Sequence, residues 1–390
     1  MATLVIDQPE CERLPDGRQR LAARIDGRVT EFILPGGITV LSRGEAFLSI
    51  ALLPAMLDGR KIVVDPALPV SPLLAKQLTL LQRIRRQWNP GLRLIEIEAN
   101  LQPAEAANAD IVSTSFSGGV DSNYTLIRHA DITHLYMTTT FDAGKQPADN
   151  VKKARMIGDI AARNGRTPLF VETNARKVFE AGGMSWNFGF GNIMAGLFAG
   201  LGVRRHYLPS SYSYRDLHPY GSHILTDPLW STEATEILHD GLEALRSEKT
   251  EAIAAEPSML DHLQVCWRSG TENCGECSKC IRTRIVLDVL GREGPFPDHR
   301  PTLSLLARLQ PEDGSTAEFV WDLREFARRH DRSDLASVFD RQLRRYMRRR
   351  SLAELVRISM PEPLMRLSRK FRGLEWTERR ITLPDTQDYR

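Results

Sequence analysis

The first hundred residues alternate apolar and polar positions over short distances. Runs with a period of two predict strands at 28–34, 38–41, 61–64 and 92–97. Apolar residues at helical spacing predict two helices, at 45–57 and 72–88. We therefore expect a small α+β domain over residues 1–105.

Between residues 106 and 293 the pattern becomes an alternation of apolar strands and helices. It predicts strands at 111–116, 134–140, 169–172 and 206–209, and helices at 123–129, 148–164 and 191–201. Such alternation is typical of an α/β fold with a parallel sheet and crossover helices. Ligands of these sheets bind beyond the carboxyl ends of the strands, so we expect the segments 117–122, 141–142 and 210–211 to face one crevice.

Residues 294–390 are predicted to be helical and basic, with helices at 303–309, 316–330 and 334–358. This region contains a dense run of cationic side chains: Arg341, Arg344, Arg345, Arg348, Arg349 and Arg350, continued by Arg366, Arg369, Lys370 and Arg372. Such a run is able to contact nucleic acid or another anionic surface. We favour a solvated helix face that pairs with acidic residues, because few aromatic residues are interspersed.

The composition is that of a folded globular protein. Of 390 residues, 42% are hydrophobic and 26% charged, and the formal net charge is +3. The first residues lack the basic and long apolar regions of a signal peptide. The longest apolar runs, near 46–56 and 193–203, are too short to span a bilayer. We expect a cytoplasmic protein that is not inserted in a membrane, and these features are compatible with a homo-oligomer.

One stretch has the features of an anion-binding loop. A β-branched run ending at Phe116 leads directly into Ser117-Gly118-Gly119-Val120-Asp121-Ser122, and a predicted helix follows. The N–H groups of a helix N-terminus attract anions, glycines allow the backbone to approach them, and serines add hydroxyl donors. The spacing differs from that of the Walker A loop and of dinucleotide-binding Gly-x-Gly-x-x-Gly. The alternative is a purely structural glycine turn.

Four of the five cysteines are clustered: Cys266, Cys274, Cys277 and Cys280. Their Cys-x7-Cys-x2-Cys-x2-Cys spacing allows four thiolates to surround one tetrahedral Zn²⁺, and four protein ligands make such a site structural rather than catalytic. The alternative is four free thiols in a reducing compartment. Cys11 stands alone, and we expect it to be merely packed or exposed.

Ser-Gly-Gly-x-Asp-Ser directly after a buried strand resembles the pyrophosphate-binding loop (PP-loop) of the ATP pyrophosphatase superfamily. With the cysteine cluster downstream, residues 111–284 resemble the zinc-containing 7-cyano-7-deazaguanine synthase branch of that superfamily. The flanking regions have no counterpart there, and the 210–230 segment differs from the family's pattern. The resemblance implies a Rossmann-like (HUP-type) sheet and an enzyme that cleaves ATP between its α and β phosphates.

The resemblance also implies residue roles. ATP and Mg²⁺ would be held by the loop and the neighbouring strand ends: Ser115, Phe116, Ser117, Gly118, Gly119, Val120, Asp121, Ser122, Thr140 and Phe141. Asp121 would help to orient Mg²⁺ around the phosphates. Lys249, in a segment similar to the family's Lys-x-Glu helix entry, is a candidate for stabilising the α-phosphate. The alternative is that Lys249 is a surface lysine.

The segment 212–232 is unusually rich in polar and aromatic side chains, and it follows a strand that is predicted to end at the crevice. We therefore interpret it as a substrate clamp. Arg215 is a candidate for pairing with a substrate carboxylate. His223 or His218 is a candidate for moving protons near neutral pH.

Three functional hypotheses follow. The first is an ATP-dependent, AMP-forming ligase that adenylates the carboxylate of a small molecule or peptide and lets ammonia or an amine attack. The second is an adenylating, thiolase-type enzyme that modifies tRNA. Only Cys11 is left to carry sulfur if the other cysteines bind zinc, which counts against this hypothesis. The third is a non-enzymatic nucleotide-binding regulator, against which the intact loop weighs.

Overall fold

A computed structural model describes residues 2–139, 147–268, 272–297 and 303–359. This part of the chain contains one ten-stranded sheet. Its strands, in chain order, are β1 (Thr3–Arg13), β2 (Gln19–Ile25), β3 (Arg28–Leu34), β4 (Lys61–Val64), β5 (Ile97–Glu98), β6 (Asn108–Ser115), β7 (His134–Thr138), β8 (Thr167–Thr173), β9 (Val203–Pro209) and β10 (Glu236–Asp240). Their order across the sheet is β10-β9-β6-β7-β8-β3-β2-β1-β4-β5.

Helices cover both faces of the sheet and extend beyond it. They are α1 (Glu45–Asp58), α2 (Pro72–Trp88), α3 (Val120–Arg128), α4 (Pro147–Arg163), α5 (Ala175–Ala181), α6 (Phe190–Leu201), α7 (Arg246–Ala254), α8 (Pro257–Leu260), α9 (Ser278–Val289), α10 (Leu303–Ala307), α11 (Gly314–Arg329) and α12 (Ser333–Ser359). No helix in the described ranges is long and apolar enough to cross a membrane.

The fold is α/β with a mostly parallel sheet, as the alternating pattern predicts. The five strands from β6 to β10 are mutually parallel, in the order β8-β7-β6-β9-β10. This order reverses direction between β6 and β9, and in open α/β sheets such a switch point opens a crevice at the carboxyl ends of the strands. The loop that follows β6 therefore lies at that crevice.

The N-terminal region differs in detail from the prediction. Strands β1 and β2 were not predicted, residues 38–41 form no strand, and of the segment 92–97 only Ile97 lies in a strand, as the first residue of β5. Alternation fails in β1 because its pairing with β2 shifts register between Asp7 and Glu10, where Gln8 has a φ of 49°. The extra residue at such a bulge reverses which side chains face the core.

The N-terminal and central regions share one sheet and one hydrophobic core. Strand β3 pairs antiparallel with β8, through Phe32 with Thr173 and Ile33 with Glu172. A single buried cluster combines Phe47 of α1 with Phe198 of α6. The domain boundary near residue 105 stays a prediction from the sequence.

The helices after residue 303 pack on α9. A separate buried cluster joins Ile281 and Ile285 of α9 with Leu323 and Phe326 of α11 and Phe339 of α12. Because α9 also contains Cys280 and begins directly after Cys277, the C-terminal helices are tied to the central region through the segment that holds the candidate metal site.

The close contact of α1 with α6 depends on Gly196. A Cβ atom at this position would lie 2.4 Å from Ser49 Cβ and 2.8 Å from the Glu45 carbonyl oxygen. We predict that Gly196→Ala lowers the free energy of unfolding by about 1–3 kcal/mol, measured by urea denaturation. Gly158→Ala is the matched control, because it also lies inside a helix but has open space around it. The control should be neutral or stabilising by up to about 1 kcal/mol. Equal losses in both variants would contradict this account.

Candidate functional site

The loop between β6 and α3 is a tight turn at the crevice. β6 ends at Ser115, and the Phe116 N–H still bonds to the Tyr136 carbonyl oxygen of β7 at 2.7 Å. Gly118 then adopts a left-handed φ of 75°, and α3 begins at Val120. The turn therefore directs the N-terminus of α3 toward the switch point, where its first N–H groups lack partners within the helix.

Side-chain and main-chain groups hold the shape of the loop. Asn123 Nδ2 donates to the carbonyl oxygens of Gly118 and Gly119 at 2.9 Å each, and the Gln264 N–H donates to the Gly118 carbonyl at 2.8 Å. Ser122 Oγ accepts from the Ser117 N–H at 3.3 Å. These bonds occupy the carbonyl groups of the turn, so the loop is preformed. Asn123 and Gln264 were not predicted, because neither position belongs to the Ser/Gly pattern.

Asp121, in the first turn of α3, is surrounded by cations. Its Oδ2 accepts from Arg246 Nη1 at 3.2 Å, and its Oδ1 lies 3.6 Å from Lys249 Nζ. Lys249 is almost fully buried, with 2% of its side chain exposed, and also donates to the Ser210 carbonyl oxygen at the end of β9 at 2.7 Å. The structure thus places Lys249 at the crevice and not on the surface.

The electrostatics of this cluster favour an anion. Burial by itself would raise the pKa of Asp121, but Arg246, Lys249, Lys279 and Arg282 outweigh burial and hold that pKa below its ordinary value. Asp121 thus faces four cationic side chains, of which Lys249 also interacts with Asp240, and Arg246 and Arg282 with Asp322. Because Asp121 is already paired with Arg246 and Lys249, binding Mg²⁺ through it would require an exchange of partners. The excess positive charge is suited to phosphate groups.

Three of these cations were not among the predicted site residues: Arg246, Lys279 and Arg282. Arg246 precedes Lys249 by three residues, so it lies on the same face of α7, and this spacing was a usable signal. Lys279 and Arg282 start α9 beside the cysteine cluster, and no local pattern connects them with a loop that lies far away in the sequence.

Two of the predicted substrate-clamp residues, Arg215 and His223, lie in surroundings that differ from each other. Arg215 is partly exposed, with Nε 3.0 Å from Glu318 Oε2 and its guanidinium 3.5 Å from the ring centre of Trp321. His223 is buried against Trp88 of α2, and its Nδ1 accepts from the Leu225 N–H at 3.0 Å.

Burial, together with His239, lowers the pKa of His223 to about 4, so this imidazole is neutral at pH 7. Within the described residues, His223 contacts neither Asp121 nor the cations around it. The predicted nucleotide contacts Thr140 and Phe141 lie outside the described residues.

A buried histidine supports the end of β6. His206 of β9 has Nδ1 2.8 Å from Ser113 Oγ and Nε2 3.1 Å from Ser115 Oγ, and its ring stacks on Phe198 with centroids 3.7 Å apart. Burial lowers the pKa of His206 to about 3, so the ring is neutral at pH 7 and can donate to one serine and accept from the other. His206 therefore fixes the hydroxyl of Ser115, one of the predicted nucleotide contacts.

The four clustered cysteines come together in space. The Sγ atoms of Cys266, Cys274, Cys277 and Cys280 all lie within 4.8 Å of one another. Two Sγ pairs, Cys274 with Cys280 and Cys266 with Cys277, are 4.0 Å apart. Zinc–sulfur distances of about 2.3 Å in a tetrahedron separate the sulfurs by about 3.8 Å. The donor set therefore fits a metal ion such as Zn²⁺.

The basic run is exposed where the structure describes it. Arg341, Arg344 and Arg345 and the three arginines at 348–350 are exposed on α12, and within the described ranges none of the six forms an ion pair. The expected pairing with acidic residues is therefore not seen in this part of the chain. The continuation of the run from Arg366 to Arg372 lies outside the described residues.

Comparisons with known proteins leave the site to be interpreted on its own geometry. None of the protein-family models that were searched matches the chain, and neither a curated protein nor a solved structure matches it.

Replacing one clustered cysteine should remove the metal. We predict that the protein purified under reducing conditions contains one zinc ion per chain by metal analysis, and that Cys277→Ser contains less than a tenth of that amount, because three ligands no longer close a tetrahedral site. Cys11→Ser, which removes a cysteine outside the cluster, should keep the full amount. Wild-type protein without metal would show the cluster to be free thiols.

The burial of His206 predicts a pH dependence of stability. Because its pKa falls from about 6.5 to about 3 on folding, the unfolded chain binds a proton in this interval that the folded chain does not. Stability should therefore decrease as the pH falls from about 6.5 toward 3, by up to about 1.4 kcal/mol per pH unit from this group. Urea unfolding at pH 7 and pH 5 should show a smaller difference in His206→Gln than in the wild type. An unchanged difference would rule out this contribution.

Proposed function

We propose that the protein is an ATP-dependent, AMP-forming ligase built on a Rossmann-like (HUP-type) sheet. The observation that carries the proposal is the cation cluster around Asp121 at the open end of the Ser117–Ser122 loop. A preformed loop at a switch point, with a helix N-terminus and excess positive charge, is suited to a polyphosphate. The resemblance of the loop to PP-loops supports ATP as that polyphosphate.

In this proposal the loop and the cations bind different phosphates of the triphosphate. The loop from Ser117 to Ser122 and the first turn of α3 hold the β- and γ-phosphates. Lys249 and Arg246 face the α-phosphate, where negative charge develops during adenylation, and Asp121 keeps both cations in position. Ser115 and Phe116 border the ribose and adenine, and Mg²⁺ is held chiefly by phosphate oxygens.

The proposed reaction has two steps. A carboxylate oxygen of the substrate attacks the α-phosphorus, the bond from that phosphorus to the bridging oxygen breaks, and pyrophosphate leaves. Ammonia or an amine then attacks the acyl carbon and loses a proton, and AMP leaves with the oxygen that the carboxylate contributed. The products are an amide, AMP and pyrophosphate.

The cysteine cluster has a structural role in this proposal. Lys279 lies between Cys277 and Cys280 at the start of α9, and Arg282 follows Cys280 by two residues. A metal held by the cluster would fix the first turn of α9, and with it the two cations that this helix contributes near Asp121. All four ligands come from the protein, so no position is left for catalysis.

An RNA-modifying adenylase is a second candidate. The exposed arginines at 341–350, which lack ion pairs in the described ranges, favour a polyanionic partner. Running the assay below with tRNA in place of small acids separates the two candidates, and absence of turnover together with retained ATP binding would favour a nucleotide-binding regulator.

Gly118→Ala tests the loop assignment. We expect at least a tenfold loss in ATP affinity by calorimetry and in pyrophosphate release with pooled carboxylic acids and ammonia. The reason is that the left-handed φ of Gly118 places the strain of an L-residue inside the loop itself, where its Cβ would also lie 3.1 Å from Met156 Cε.

Gly165→Ala is the matched control. It also has a positive φ, of 62°, but nothing lies within 4 Å of its Cβ position. Both variants carry a left-handed strain of about 1–2 kcal/mol, so their melting temperatures should fall by similar amounts. Only Gly118→Ala should lose ATP. Wild-type ATP affinity in Gly118→Ala would refute the assignment.

A further inference from the structure

Beside the phosphate loop lies an open cleft between α7, α9 and α11. It consists of two small adjoining depressions. Both are lined by Arg246, Phe319 and Asp322, and Arg282 lines the smaller one. The wall formed by α11 comes from the C-terminal region, for which the sequence suggested no catalytic part.

The cleft contains buried hydrogen-bond donors without partners. Arg282 is only 8% exposed, its Nε donates to the Ser278 carbonyl oxygen at 3.2 Å, and its guanidinium lies 3.8 Å from the ring centre of Phe319. Its Nη1 is buried and makes no hydrogen bond within the described residues. Arg246 likewise uses Nη1 on Asp121, while its Nε is buried and unsatisfied in the same part of the chain. Buried donors on charged groups are costly to leave unpaired.

The acidic side chains around the cleft are already satisfied. Asp322 accepts from the Ser247 N–H at 3.0 Å and from the Ser247 hydroxyl. Asp216 accepts from the Ser213 hydroxyl at 2.8 Å, and Glu318 pairs with Arg215. The spare hydrogen-bonding capacity of the cleft is therefore cationic and donating. A ligand that complements it carries an oxyanion, and a planar guanidinium matches the two oxygens of a carboxylate.

We propose that this cleft is the subsite for the carboxylate of the acid substrate, with Arg282 and Arg246 as its binding side chains and Phe319 as its floor. The proposal rests on the proposed ligase function. Arg246 connects the two subsites, because its Nη1 bonds to Asp121 at the phosphate loop, its Nε makes no hydrogen bond within the described residues, and the side chain lines both depressions. A carboxylate bound there lies beside the α-phosphate that it must attack. Arg215, the predicted carboxylate ligand, instead lies at the mouth of the cleft, where it pairs with Glu318.

The test uses small probes because the acid is unidentified. Binding of acetate, benzoate and nicotinate, each beside its carboxamide, is measured by ligand-observed NMR on the full chain, and inorganic pyrophosphate is titrated by calorimetry. We expect the wild type to bind at least one carboxylate ten times more tightly than its amide. Arg282→Gln should lose that preference, and because Arg282 is also one of the cations near Asp121, its pyrophosphate affinity should fall by clearly less than its carboxylate affinity.

Two further variants control the experiment. Arg308→Gln removes an exposed arginine that pairs with Glu276 outside the cleft, and it should keep the carboxylate preference. Arg282→Lys keeps the charge but not the planar fork. It should retain the melting temperature and bind the carboxylate at an intermediate level.

The outcomes separate this inference from the function on which it rests. The carboxylate subsite is disproved if the wild type binds no carboxylate more tightly than its amide. It is also disproved if Arg282→Gln weakens pyrophosphate binding as much as carboxylate binding, because the cations then belong to the phosphate site. If pyrophosphate does not bind the wild type at all, the proposed ligase function fails, whereas a carboxylate preference that depends on Arg282 would still locate an anion site in the cleft.

Discussion

The ion cluster around Asp121 is the interaction on which the arrangement of this site depends. Cationic side chains repel one another when they are brought together away from water, and a carboxylate among them offsets this repulsion. Asp121 performs this task from the first turn of α3, where it also lies next to the candidate phosphate loop. The cluster thereby connects the sheet, through α3, with α7 and α9. Asp121 thus offsets part of the repulsion among these cations, together with Asp240 and Asp322, which act on the same side chains.

The cations around Asp121 come from different helices. Lys249 and Arg246 come from α7, which follows the edge strand β10, whereas Arg282 comes from α9, which begins directly after Cys277. The C-terminal helices then cover α9 and contribute Phe319 to the cleft. The central sheet, the cysteine cluster and the C-terminal region are therefore parts of one candidate site, although their sequences suggest separate units.

Much of the central region could be predicted from the sequence. The segment from Ser117 to Ser122 follows strand β6 and leads into helix α3, which begins at Val120, and glycine and serine at this junction are typical of such a turn. The four cysteines meet because their spacing is short enough for one segment to fold around one point. The predictions failed where the conformation or burial of a residue depends on partners that are distant in the sequence. The strand β1 contains a bulge that destroys its alternation, and His206 is buried under helix α6, which its own strand does not reveal.

The α/β class, the loop and the cysteine cluster follow from the amino-acid sequence, because each depends on local spacing and backbone preference. Which charged side chains meet depends instead on the packing of the folded chain. Asp121 and Arg246 are more than a hundred residues apart, and their pairing depends on the strand order that places β9 beside β6. Periodicity records which side of an element is apolar, but it does not record which element lies opposite. For that reason Arg246, Arg282 and Phe319 emerged only from the folded chain.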